Sequence, residues 1–78
     1  MVIMINKTKK YLKTLSKAEI KKLIEHPDLT EIEKWLIYYA YGEGRMVVNT
    51  CRKLGISYAQ YTIVKKMALL KLYYIYLV

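Results

Sequence analysis

The stretch Val47-Val48-Asn49-Thr50-Cys51-Arg52-Lys53-Leu54-Gly55-Ile56-Ser57-Tyr58-Ala59-Gln60-Tyr61-Thr62-Ile63-Val64 decides how this chain is read. Two short helices held at a steep angle by a tight turn leave a recognisable set of residues behind them, and several members of that set occur here together. Cys51 is the small residue where the second helix crosses the first most closely. Four positions on, Gly55 can take the positive φ of the turn. Ile56 plugs the gap between the helices. Ser57, followed three residues later by Gln60, forms a capping box that opens the second helix. Val47, Leu54, Tyr61 and Val64 supply the shared core. The pattern predicts a helix from about Met46 to Lys53, a turn, and a second helix from Ser57 onward.

The same capping signal recurs upstream at Ser16–Glu19 and Thr30–Glu33. After the first, Ile20, Leu23 and Ile24 fall at helical spacing until Pro27, whose ring and missing donor stop a helix spanning about Lys17 to Glu25. After the second, Ile32, Trp35, Leu36, Tyr39 and Ala40 form an apolar stripe that calls for burial, so Trp35 and Tyr39 are expected in the core. That helix runs from about Glu31 to Tyr41 and is broken by Gly42-Glu43-Gly44. Tyr11, Leu12 and Leu15 permit a further helix over Lys7–Leu15. Past Ser57, Tyr61, Val64, Ala68, Leu72 and Ile75 continue with no Gly or Pro, so the last helix can reach almost to Val78. The expectation is an all-α single domain over residues 1–78. It comprises four to five helices, with a basic helical segment over residues 1–29 and a helix-turn-helix unit with a long last helix over residues 30–78.

Charge is partitioned along the chain. Residues 1–22 carry seven Lys and one Glu, residues 23–44 carry five acids and Lys34, and residues 45–78 carry six cations and no acid, within a net charge of +8. A segment whose cations have no carboxylate to compete for them attracts phosphate, so a polyanionic partner is expected. One cysteine and one distant histidine make neither a disulfide nor a metal site, which points to a reducing cytoplasm with no metal and no cofactor. The apolar Met1–Ile5 is too short, and has its lysines on the wrong side, for an export signal. Met67–Val78 would span ~18 Å as a helix against ~30 Å of bilayer hydrocarbon, so no membrane span is expected. The acids cluster beside helix caps and His26 has no partner at a useful spacing, so no catalytic residues and no enzyme are expected.

Tyr41-Gly42-Glu43-Gly44, then Cys51 to Ser57, then Tyr61 and Lys65 to Leu72, resemble the C-terminal helix-turn-helix of bacterial sigma factors and of phage transcriptional regulators of the ArpU and RinA type. The likeness runs from about Thr30 to Leu72. Thr50 departs from it by standing where an aliphatic residue is usual, and Cys51 by replacing an alanine. The resemblance implies a phage or prophage regulator of transcription that binds double-stranded DNA. As its alternative, it implies a protein-interaction module docking on RNA polymerase or another protein through the helix after Thr30 and the last helix.

If the last helix enters a major groove, the side chains opposite Tyr61 and Val64 meet base edges. These are Tyr58, Ala59, Thr62, Ile63 and Lys66. Thr62 suits a hydrogen bond to a base, while Ala59 and Ile63 suit a thymine methyl. Arg45, Arg52, Lys53 and Lys65 are the expected phosphate contacts, with Ser57 and Gln60 at the helix start. A second apolar stripe, Ile63, Met67, Leu70, Tyr74 and Leu77, points away from the core stripe and predicts a homodimer through the last helix.

Overall fold

A computed structural model describes every residue from Met1 to Val78. The chain is all-helical: α1 is Val2–Lys13, α2 is Lys17–Leu23, α3 is Glu31–Ile37, α4 is Val47–Leu54 and α5 is Tyr58–Leu72. Wider π turns extend α3 through Tyr38–Gly42 and α5 through Tyr73–Leu77. No helix is long and apolar enough to cross a membrane.

All three capping boxes form. Ser16, Thr30 and Ser57 each accept from the backbone N–H three residues on, and Glu19, Glu33 and Gln60 reach back to the cap residue's own N–H. Two orphan donors are thereby satisfied at each of these three helix starts. Gly55 sits at φ 69°, ψ 37°, the left-handed conformation that ends α4 and turns the chain toward Ser57. Gly42 has a different reason. A Cβ there would lie 3.1 Å from the Tyr38 ring, and the π turn closes with the Glu43 N–H donating to the Tyr38 carbonyl at 2.9 Å.

α1 begins at Val2 and ends at Lys13, five residues earlier at its start than the expected Lys7. The cause lies at both ends of the segment. Ser16 must be extended (φ −74°, ψ 165°) to cap α2, which closes the helix by Thr14. Thr8 and Leu12, one turn apart, are both fully buried, and Ile5 and Tyr11 pack against the same core. Burial therefore begins further upstream than the stripe of Tyr11, Leu12 and Leu15 suggested.

The core gathers Leu12, Ile20, Leu23, Ile24, Leu29, Leu36, Ile37, Tyr38, Tyr61, Ala68, Leu69 and Leu72 around α5, which packs on α1, α3 and α4. Polar pins fasten the termini to it. The Thr8 hydroxyl lies 3.1 Å from the Leu69 carbonyl and 3.0 Å from its own helix's Met4 carbonyl. At the other end, the Tyr76 hydroxyl donates to the Leu23 carbonyl at 2.7 Å, satisfying a carbonyl left free where α2 ends. Glu33 is buried and accepts from the Lys71 ammonium at 2.8 Å, tying α3 to α5.

Two expectations about packing are corrected. Trp35 is not core: it is 37% exposed, its ring stacked on Tyr39 and edge-on to Tyr38, because α3 turns Glu33, Leu36 and Ile37 inward instead. Similarly, the residue fully enclosed on α4 is Thr50, whereas Cys51 is half-buried beside it. The Thr50 hydroxyl has no hydrogen-bond partner. A buried hydroxyl without a partner destabilises relative to a methyl of the same shape. Thr50→Val should therefore raise stability by about 1 kcal/mol in urea denaturation, and an equal loss would mean that the hydroxyl is bonded after all.

Candidate nucleic-acid interface

Helix α5 presents two opposite faces because its period alternates Tyr61, Ala68 and Leu72 inward with another set outward. Among the expected base-reading residues, Tyr58 is 70% and Ile63 64% exposed, and Ala59, Thr62 and Lys66 are exposed with them. Thr62 donates its hydroxyl proton to the Tyr58 carbonyl at 3.1 Å, which spends its donor within the helix and leaves the oxygen's lone pairs to accept. A base amino group, from adenine or cytosine, is the partner that suits it.

The expected phosphate contacts fall into four environments. Arg52 and Lys53, in the last turn of α4, are exposed and in no ion pair. The Lys53 ammonium also lies 5.8 Å from the centre of the Tyr39 ring. Arg45 is already engaged: its guanidinium pairs with Glu43, whose carboxyl this pairing holds below the usual carboxylate range, and Lys17 pairs with the same carboxylate. Ser57 and Gln60 spend their oxygens on the capping box, which leaves the Gln60 amide nitrogen for an outside acceptor. Lys65 is half-buried, with its ammonium 5.6 Å from the centres of both the Tyr41 and Tyr61 rings. Burial, with Lys9 and Lys13 nearby, pushes its pKa down. Burial likewise pushes the Tyr41 phenol up to about 12.

Ion pairing accounts for only part of the positive charge. Lys17, Lys34, Arg45 and Lys71 meet carboxylates, and the other ten of the 14 Lys and Arg do not. Of the five acids in the middle of the chain, Glu31, Glu33 and Glu43 are engaged by those four cations, while Glu25 and Asp28 meet no Lys or Arg. The remaining excess lies on α1, α2, the end of α4 and α5.

The stripe expected to pair two copies is partly open. Met67 is 48% and Tyr74 61% exposed, while Leu70 and Leu77 are half-buried. Met67, Leu70 and Tyr74, with Asp28, Lys71 and Ile75, line a groove of about 470 Å³. A second apolar hollow, about 400 Å³, lies at the elbow between α4 and α5 and is lined by Val47, Val48, Cys51, Arg52, Gly55, Ile56 and Tyr58. Sequence reading did not identify this hollow, whose walls depend on how α4 and α5 meet.

Helix α1 places Lys9 and Lys13 beside α5. Lys9 shares a cleft of about 260 Å³ with Ile5, Val47, Tyr58, Tyr61, Thr62, Lys65, Lys66 and Leu69. No periodicity argument could have shown this, since it depends on where α1 crosses α5. Comparison of the chain with protein-family models, curated proteins and solved structures finds no match.

Proposed function

We propose that this protein is a sequence-specific DNA-binding regulator of transcription that reads the major groove with the first turns of α5. The observation that carries the reading is the exposed row Tyr58, Ala59, Thr62, Ile63 and Lys66. It lies on a helix opened by a capped turn and flanked by unpaired Arg52, Lys53 and Lys65. A convex helical face with small, polar and methyl-seeking side chains at its tip and cations on its flanks matches what a groove requires: base edges in the middle, phosphates at the rims. The resemblance to phage regulators adds the transcriptional context. Pairing through Ile63, Met67, Leu70, Tyr74 and Leu77 belongs to the same proposal, since two copies would set two readers on neighbouring half-sites.

Mutation separates the two kinds of contact. Arg52→Ala should weaken specific and random DNA alike and reduce the logarithmic salt slope by about one. By contrast, Thr62→Ala should cost about 1–3 kcal/mol on the preferred site, little on random DNA, and leave the slope unchanged. Site selection from genomic fragments followed by titration across a salt series measures both. Wild-type affinity and slope in both variants, with the fold intact, would remove α5 from the role of reader.

One observation favours the second reading, a protein-docking module. Trp35 stands at the surface, stacked on half-buried Tyr39 and edge-on to the buried Tyr38 ring, an exposed indole on an aromatic base of the kind that anchors protein interfaces. That reading expects Trp35→Ala to abolish binding to a protein such as RNA polymerase while DNA affinity is absent from the start.

A further inference from the structure

Helix α1 brings two lysines to the flank of α5 where no carboxylate lies. Lys9 and Lys13 are one helical turn apart, and together with Lys65, Tyr41, Arg45 and Tyr61 they line a cleft of about 340 Å³. Arg45, the remaining cation at its rim, is held by Glu43, which does not itself line the cleft. Lys9 and Lys65 also line the adjoining cleft that carries Tyr58, Thr62 and Lys66. The cations therefore run without a break from Lys13 and Lys9 on α1, through Lys65, to Lys66 on the outward face of α5.

Such a cluster costs stability in the isolated chain. Like charges repel, and Lys65 is in addition half-desolvated against two tyrosine rings, which recover part of the cost through their negative faces. The direction of the Lys65 pKa agrees, with burial first and Lys9 and Lys13 next among its causes. Three ammonium groups converging on a cleft, with no anion in the chain to neutralise them, fit a ligand that brings its own negative charge and several oxygen acceptors.

We propose that Lys9, Lys13 and Lys65 form a phosphate seat that holds the DNA backbone alongside the groove read by α5, so that the N-terminal helix is part of the nucleic-acid interface. This rests on the DNA reading above, in which Lys65 already flanks the reading face, and adds Lys9 and Lys13 of α1 to its grip on the strand. The seat carries no sequence information. Its contribution is affinity and orientation, delivered through release of counterions.

The test compares two charge-matched variants of the full chain. Lys9→Gln/Lys13→Gln removes two of the seat's three ammonium groups, and Lys21→Gln/Lys22→Gln removes the same charge from exposed α2 positions that line neither cleft. Each is titrated with a random-sequence duplex across a potassium chloride series. The seat variant should lower the salt slope by about two and the affinity by at least tenfold at low salt, whereas the control should keep the wild-type slope. Melting of the seat variant and of single Lys13→Gln should occur at or above the wild-type temperature, since only repulsion is removed. Identical slopes in the seat variant and wild type, or equal losses in both variants, would overturn the seat and leave DNA binding by α5 standing. If the wild type binds no duplex, the DNA reading fails. Inorganic phosphate then decides the seat alone: it must shift the Lys65 side-chain resonances more than chloride at equal ionic strength, and no difference overturns it.

Discussion

Tyr61→Ala should destabilise the fold by about 3–5 kcal/mol, the cost of emptying a buried aromatic site. Tyr61 is 4% exposed and lies where α5 meets the rest of the core. The face of its ring also meets the Lys65 ammonium. A chain of this length has about 4–12 kcal/mol of stability in total, at ~0.05–0.15 kcal/mol per residue. The variant should consequently lose a large part of that stability, unfolding outright at the low end of the range, and the proposed DNA binding should fail to the extent that folding fails. Tyr61→Phe keeps the packing and the π face, and should remain folded. Urea denaturation followed by circular dichroism measures both variants. An alanine variant with wild-type stability would show that the helix-turn-helix core does not depend on this ring.

The second large effect is expected at Glu33. Its carboxylate is buried between the Lys71 ammonium and the Thr30 backbone N–H, which donate at 2.8 Å each. Burial pushes its pKa up, but these two donors outweigh burial and hold it below the usual carboxylate value. Lys71→Met removes one donor and leaves a buried charge. Breaking a fully buried pair costs about 3–5 kcal/mol; because a third of the Lys71 side chain remains exposed, about 2–3 kcal/mol is expected here at neutral pH, after discounting for solvent screening. The pH dependence has a definite sign. A carboxyl depressed in the folded state contributes stability above its unfolded pKa and loses it as pH falls through the folded one. In Lys71→Met, burial acts without the ammonium, so protonation of Glu33 relieves the variant. The stability gap between wild type and variant should therefore narrow as pH drops through the carboxylate range. A gap that stays constant from neutral to acid pH would show that Lys71 acts by packing its methylenes, not by its charge.

Neither Glu33 nor Lys71 was legible as a pair. From sequence, Glu33 was the reciprocal member of the Thr30 capping box, a role it does fill. The side chain's second oxygen-bonding partner lies 38 positions away on α5, and only the angle at which α3 meets α5 brings them together. Trp35 illustrates the same limit from the other side. A stripe at i, i+3, i+4 and i+7 defines an apolar arc but not its centre, and here the arc is centred on Leu36 and Ile37, which leaves the indole at the edge.

Local chemistry determined the rest. The capping boxes at Ser16, Thr30 and Ser57, the left-handed Gly55 and the stop at Pro27 act within a few residues of themselves, so their consequences for helix starts and turns survive any tertiary arrangement. The outward position of Tyr58, Ala59, Thr62, Ile63 and Lys66 follows from the same locality, because once Tyr61 faces inward the period of the helix places the others. What the tertiary structure alone decided is which elements share a surface: α1 against α5, so that Lys9 and Lys13 face Lys65, and Thr50 instead of Cys51 at the enclosed point of α4. Those outcomes depend on crossing points between helices distant in sequence. Such crossings are set by the packing of whole side-chain surfaces against one another, which no short pattern of residues encodes.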